Sequence, residues 1–415
     1  MTDPSAGHLL ILGGGQDLPD RARVARPGLR TTVICRSEVL PKLRSREKIQ
    51  RLIVLRADAP MTEWVEAARF VHAVDPIDRI ANYTEKETDK TAAIAADLGL
   101  DWHSPSTVRA VSDKVEMRRV LAASGVDDTL AYVVRDAEEV RTAAERTGYP
   151  LILKPVRGVA SQGVARIDGP EEVESALIWS SDGSQGLDDQ HLLVEPFHVG
   201  DEYSVECLSE DGEHLVIGVT AKFSDHEHFV ELGHVLPAPL EASDVKRIVA
   251  VVHGMLDALG VRHGVTHTEV IVQPDAVRVV ETHLRPAGDE IPEMWAYITG
   301  VDLLTLLARQ SVGQRVLAEA RATLDRARPR CAAIWYACPD AVGELLAVNG
   351  LGEAKAVDGV VEVEAHLEPG SRLGRVTGSF ARAAHVWAEG DDPDQALRRA
   401  RDGVRQLSFT VKANG

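Results

Sequence analysis

The sequence predicts a multidomain protein of mixed α/β and α+β class. Three observations carry that reading. Over the first hundred residues, short apolar runs alternate with polar stretches of helix length, the mark of a small parallel α/β sheet. From there to residue 330, strand-like runs recur around Gly-, Ser- or Pro-bearing turns, with single helices between them. At 415 residues, 44% hydrophobic and 27% charged, the chain has ordinary globular composition and room for about two to four domains of roughly 100–200 residues.

In the N-terminal unit the apolar runs His8–Leu12, Thr31–Cys35, Ile53–Leu55, Phe70–Val74 and Arg79–Asn82 are read as strands. Gly13, Gly14 and Gly15 follow the first. Gly13 and Gly15 begin a G-x-G pattern, but the third glycine position is Leu18, so a plain glycine-rich turn is expected in place of a dinucleotide loop. A helix is expected over residues 112–125, capped by Ser112 and closed by Gly125, with Met117, Val120 and Leu121 on one face. Another follows near Glu138–Thr147. Strands are expected at Leu151–Val156 and Val164–Ile167, as a pair at His191–Glu195 and Glu202–Leu208, and at His214–Lys222, Thr266–Val272 and Val277–Glu281. Helices are expected at Val245–Leu259 and Val301–Ser311, and a linker at Arg321–Arg330. The tail has its own strands, a Pro-Gly turn at 369–370 and a last helix at Pro393–Gln406. The boundaries expected are 1–110 for the N-terminal α/β unit, 111–197 for a small lobe with its linker helix, 198–328 for a larger lobe and 329–415 for an α+β tail.

A net charge of −18 argues against nucleic acid and anionic membrane as partners, because both require a basic surface. No apolar run approaches the ~18–20 residues that span a bilayer, and the N-terminus lacks a basic n-region. Four cysteines without CxxC or zinc spacing point to free thiols in the cytoplasm. Only ten of the 46 basic residues are lysines, which gives each lysine in a motif more weight.

Three motifs carry chemistry. The strand ending in Lys154-Pro155-Val156 runs through Arg157–Gly163 into another strand. A P-loop would enter a helix, so phosphates here would be held by loop amides and a lysine ammonium. An ordinary hairpin with a snorkelling lysine would look the same in isolation. Second, Glu195-Pro196-Phe197-His198 bends between two strands and would offer free backbone groups to an adenine edge. Glu202, alternating with Ser204 and Glu206 on one strand face, could accept ribose hydroxyls or simply face solvent. Third, Glu269 and Glu281 sit on consecutive strands. A connecting loop of three or five residues would put them face to face and one of four would oppose them. Facing is expected, because magnesium held by carboxylates and nucleotide phosphates would relieve their repulsion. Arg285, followed by Pro286-Ala287-Gly288, pairs a guanidinium with an exposed amide, suited to a carboxylate, an acyl phosphate or a tetrahedral oxyanion.

In this order, from Asp113-Lys114 to Asp302, the motifs resemble the ATP-grasp superfamily. The stretches Phe229–Pro237 and Glu281–Asp289 resemble its carboxylate–amine ligase branch, in which L-amino-acid ligases make dipeptides. The resemblance implies an ATP-grasp fold behind a Rossmann-like N-terminal domain, and an ADP-forming ligase that joins a carboxylate to an amine through an acyl phosphate. It implies that Lys114 and Lys154 hold phosphates and that Ser161, Gln162 and Gly163 close over the nucleotide. Glu195, Phe197 and His198 would read adenine and Glu202 ribose. Glu269 and Glu281 would hold two Mg2+ ions, with Mn2+ as a substitute. Arg285 and the Gly288 amide would face the reacting carboxyl, and Glu231 and His234 would lie in the substrate pocket. His283 stands where many relatives carry asparagine, so it is not assigned as a ligand. A homodimer acting on small molecules is expected. Carboxylation of bicarbonate on the same fold, or nucleotide binding without turnover, are the alternatives.

Overall fold

Four parallel strands open the chain in the computed structural model, which describes residues 7–15, 17–158, 161–183, 191–225, 229–339, 341–374, 378 and 381–413. They are β1 (His8–Leu12), β2 (Arg30–Arg36), β3 (Arg51–Leu55) and β4 (Arg79–Asn82), in the order β3-β2-β1-β4. β1 is buried along its whole length, as an apolar run with a parallel neighbour on each side requires. Phe70–Val74 is not a strand. It ends the helix Met61–Val74, whose buried Trp64, Ala68 and Val71 recur at helical spacing. A five-residue apolar run cannot separate the two periods; the longer window can. Ser112 is likewise the last residue of a helix, Pro105–Ser112, not a cap. The next helix, Lys114–Ser124, is capped by Asp113, whose carboxylate accepts the amides of Val115 and Glu116. Lys114 therefore stands at the first turn of a helix, and Gly125 closes the other end in the left-handed conformation.

A second sheet, β5-β8-β6-β7, is wholly antiparallel. It consists of β5 (Tyr132–Val134), β6 (Leu151–Pro155), β7 (Ala165–Ile167) and β8 (Leu192–Pro196). With the helices Ala137–Thr147 and Val173–Gly183 it builds its own core from Val134, Val140, Leu151, Leu153, Ile167 and Val194.

The largest sheet begins with β9 (Asp201–Glu210), β10 (Glu213–Ser224), β11 (Glu231–Leu236), β12 (Gly264–Val272) and β13 (Val277–His283). The tail adds β14 (Cys331–Ala337), β15 (Gly343–Asn349), β16 (Val360–Ala365), β17 (Arg372–Leu373), β18 (Ala384–Gly390) and β19 (Ser408–Ala413). Three of these extend the large sheet to β13-β12-β9-β10-β11-β14-β18-β16, and the others form β17-β15-β19. The expected pairing of the strands around Pro196 is therefore wrong: β8 and β9 belong to different sheets, and the chain crosses between lobes at residues 197–200. The expected linker at Arg321–Arg330 also shortens, because Leu317–Leu324 is a helix.

Where β9 and β12 pass the cavity, alternation gives the large sheet one apolar and one polar face; farther along, Leu208, Ile217 and Val265 make the second face apolar too. Tyr203, Val205 and Cys207 pack with Val270, Val279 and the helix Ala242–Leu259. Glu202, Ser204 and Glu206 point the other way, opposite Ile271, Glu269 and His267 of β12.

Candidate active site

That polar face floors a cavity of about 840 Å3, and the β5–β8 lobe covers it. Of the residues singled out in the sequence, Lys114, Lys154, Ser161, Gln162, Glu195, Phe197, His198, Glu202, Glu269 and Glu281 line it. Ile152, Phe223, Ile271 and Trp335 supply apolar wall.

Glu269 and Glu281 are direct register partners, but not for the expected reason. Four residues separate Val272 from its partner Val277, a loop that would put the two carboxylates on opposite faces. A β-bulge at Val280 supplies the missing residue and restores the facing pair. Arg118 fixes the bulge by donating to the carbonyls of Val279 at 2.6 Å and Val280 at 3.3 Å, while Asp127 accepts the Val279 amide at 2.7 Å.

Each carboxylate already has cationic neighbours. Lys114 Nζ lies 2.8 Å from Glu281, and His283 Nε2 lies 3.2 Å from it. Burial opposes ionisation of Glu281, yet Lys114 and His283 outweigh it and hold the carboxyl well below the usual range. Lys222, which the sequence reading missed, reaches Glu202 and Glu269 at 2.7 Å and Glu231 at 3.1 Å. Burial would drive off its proton, but the three carboxylates raise its pKa well above the ordinary value. His267, also missed, is 2.7 Å from Glu206 and 3.4 Å from Glu269. Against the effect of burial these partners lift it to about 10, so it is cationic at neutral pH. Hard carboxylate oxygens facing a cavity ringed by lysines are a donor set that fits a magnesium–nucleotide complex.

Lys154 Nζ lies 2.6 Å from Glu195, which Arg118 grips from the other side at 2.6 Å. Burial works against the Glu195 carboxylate, but the two cations hold its pKa at about 2. Burial lowers the pKa of Lys154, with Arg118 and Lys114 adding to the effect against Glu195. The bend after Glu195 offers less free backbone than expected, because the Phe197 amide donates to the Pro150 carbonyl at 3.0 Å. His198 Nε2 meets the Thr129 hydroxyl at 3.0 Å, and the Arg166 guanidinium lies 4.4 Å above the Phe197 ring. In the glycine loop, Val159 and Ala160 lie outside the described residues. Gly163 does not line the cavity. It adopts a positive φ of 71°, and a Cβ there would meet the Ser180 carbonyl at 3.0 Å.

Arg285, Gly288, Glu231 and His234 do not line the main cavity. Arg285 Nε donates to Glu85 at 2.9 Å, and Glu85 also meets His283 Nδ1 at 3.1 Å. Glu85 comes from the N-terminal unit, and despite burial His283 and Arg285 hold it at about 2. The Cβ position of Gly288 opens on clear space, so its backbone is approachable. His234 Nε2 pairs with Asp289 at 2.8 Å, and Arg382 grips Asp289 with two bonds of 2.7 and 2.6 Å. Arg382 stacks 3.9 Å over Tyr336 and lies 3.9 Å from Glu231. Arg382 and Tyr336 had no local signal, and Asp289 only closed the Glu281–Asp289 motif without an assigned role. The three lie 46 or more residues apart in sequence, and the continuation of the sheet into β14 and β18 unites them.

Residues 147–293 match the ATP-grasp domain family, and residues 335–412 match L-amino acid ligase C-terminal domain 2. The alanine–anticapsin ligase of Bacillus subtilis strain 168 is 26% identical over 268 residues, which are 60% of this chain and 57% of that protein. The formate-dependent phosphoribosylglycinamide formyltransferase of Mycolicibacterium gilvum is 26% identical across 98% of this chain and 97% of its own. The crystal structure of an L-amino acid ligase from Bacillus licheniformis shares the fold, with a TM-score of 0.81 and 22% identity over 98% of this chain and 99% of that one.

Proposed function

This chain is an ATP-grasp ligase of the C–N bond-forming class with an L-amino acid ligase C-terminal domain, and we propose that it joins an amino acid or similar carboxylate to an amine, releasing ADP and phosphate. One observation carries the reading: Glu269 faces Glu281 on the floor of a cavity that Lys114 and Lys154 also line.

A carboxylate resists attack by an amine because it is anionic and would have to expel oxide. Its oxygen instead attacks the γ-phosphorus of ATP, giving an acyl phosphate and ADP. The amine nitrogen then attacks the acyl carbon, phosphate leaves, and one proton is shed. In this reading Ser161 and Gln162 cover the phosphates while Gly163 shapes their turn, and Glu195 through His198 with Glu202 hold the nucleoside. Lys114 and Lys154 exchange their glutamate partners for phosphate oxygens. Glu269 and Glu281 would hold magnesium, which supplies charge neutralisation on the transferring group. Arg285 and the Gly288 amide stabilise the tetrahedral oxyanion. The departing phosphate takes the proton of the amine; His234, only 1% exposed with Nε2 held by Asp289, lies too deep to receive it directly. Closure of the β5–β8 lobe protects the acyl phosphate from water.

The test is phosphate and ADP release from ATP with pooled amino acids and Mg2+, followed by mass spectrometry of the products. Equal ADP and phosphate with a condensed product is expected. Bicarbonate-dependent turnover without an amine would instead assign a carboxylase, and no pool above background would end the ligase reading.

A further inference from the structure

At the edge of the large sheet opposite the carboxylate floor, β16 and β18 bring together a second set of ligand-type side chains. Glu364 on β16 is the direct register partner of His385 on β18, and His366 lies two residues past Glu364. A period of two places all three on one face. One ligand atom from each lies within 4.8 Å of the others. Glu364 and His366 are exposed, while His385 is only 1% exposed.

The two imidazoles confront each other, with His366 Nε2 2.8 Å from His385 Nδ1. Each ring has an oxygen behind its other nitrogen. His366 Nδ1 is 3.3 Å from the Arg382 carbonyl, and His385 Nε2 is 3.6 Å from the Glu362 carboxylate. If both outer nitrogens carry the proton, as those oxygens favour, two lone pairs meet at 2.8 Å. If His385 Nδ1 donates to His366 instead, the buried His385 Nε2 is left bare, and it has no hydrogen-bond partner. The remaining neutral arrangement, His366 Nε2 donating to His385 Nδ1, turns the bare His366 Nδ1 toward the Arg382 carbonyl at 3.3 Å, two acceptors face to face. A cation bound by the two inner nitrogens would leave both outer N–H groups to their oxygens, the support that metal-bound histidines ordinarily have.

The geometry points to a site for one transition-metal dication of the zinc class, held by Glu364, His366 and His385 and open to water on its solvent side. Two imidazoles and a carboxylate suit Zn2+ or Co2+ better than Mg2+. The ring nitrogens need to part only to roughly 3.3 Å to accept tetrahedral bonds of ~2.0–2.1 Å. The other cluster with ligand spacing among the described residues, Glu231, His234 and Asp289, differs because the Arg382 guanidinium already serves Asp289 as its cation.

The test uses the full-length protein, stripped with EDTA and titrated with Zn2+ against a chromophoric chelator in excess Mg2+, with Co2+ as an optical probe. One tightly bound equivalent is expected, with a visible Co2+ absorption. His366→Ala and Glu364→Gln should each weaken binding by about 10-fold or more. Both side chains are exposed, so melting curves without zinc should match the parent. Failure to compete for Zn2+ overturns the proposal. So does binding that survives both substitutions but is lost in Glu281→Gln, which would place the ion on the cavity floor.

Discussion

Single side chains decide the charge balance of the cavity. Glu281 serves Lys114 and His283 at once, so Glu281→Gln removes the anion that both side chains face. Its phosphate-release rate should fall by on the order of 10²–10³ or more, in line with losses of electrostatic stabilisation elsewhere, while circular dichroism retains the native spectrum. Glu195 gives a pH prediction. Its folded pKa of about 2 lies below the ordinary 4.5, so its contribution is complete above pH 4.5 and is lost as pH falls toward 2. Glu195→Gln should flatten the acid limb of a denaturation profile over that window. At neutral pH it should also cost about 3–5 kcal/mol, because Lys154 is left buried without its counter-ion and Arg118 keeps only Asp127 at 3.7 Å. Much of this constellation was legible in the sequence, since Lys114, Lys154, Glu195, Glu202, Glu269 and Glu281 sit in motifs with recognisable spacing. Lys222, His267 and Glu85 were not. Each acts across strands or between units, and nothing beside them in the chain marks their partners.

At the scale of elements, the facing pair on β12 and β13 was anticipated while the device that makes it was not. Loop length alone argued for opposition, and the bulge at Val280 reversed the outcome. The bulge leaves only a faint mark, Val279 and Val280 side by side before Glu281, which a strand buried on both faces would show as well. The helix–strand ambiguity at Phe70–Val74 and the misplaced cap at Ser112 have the same origin, a window too short to fix the period. β10 carries a second irregularity between Val216 and Gly218, where the Trp295 ring packs against the strand. A Cβ on Gly218 would come within 1.9 Å of that ring, whose Nε1 also donates to Thr220. Gly218→Ala should therefore lower stability by about 1–3 kcal/mol in urea denaturation.

Across the whole molecule, the tail is structurally continuous with the lobe before it. β14 pairs with β11, and β18 and β16 follow in the same sheet. A chain ending at Arg330 would expose β11 as a raw edge and lose Ile334 and Tyr336 from the core. It should give no cooperative thermal transition and should aggregate on expression, measurable by calorimetry and size-exclusion chromatography.

The β5–β8 lobe, like the N-terminal sheet, shares no strand with the large sheet. Lying over the cavity without strand pairing to its floor, this cover is the part expected to swing when a molecule enters or leaves. Arg118 marks where it turns: one guanidinium is bonded to Glu195 on the cover and to the Val279 and Val280 carbonyls on the base. The axle of the swing and the bracket that aims Glu281 are thus the same side chain, so the cover cannot tilt far without disturbing the carboxylate beneath it.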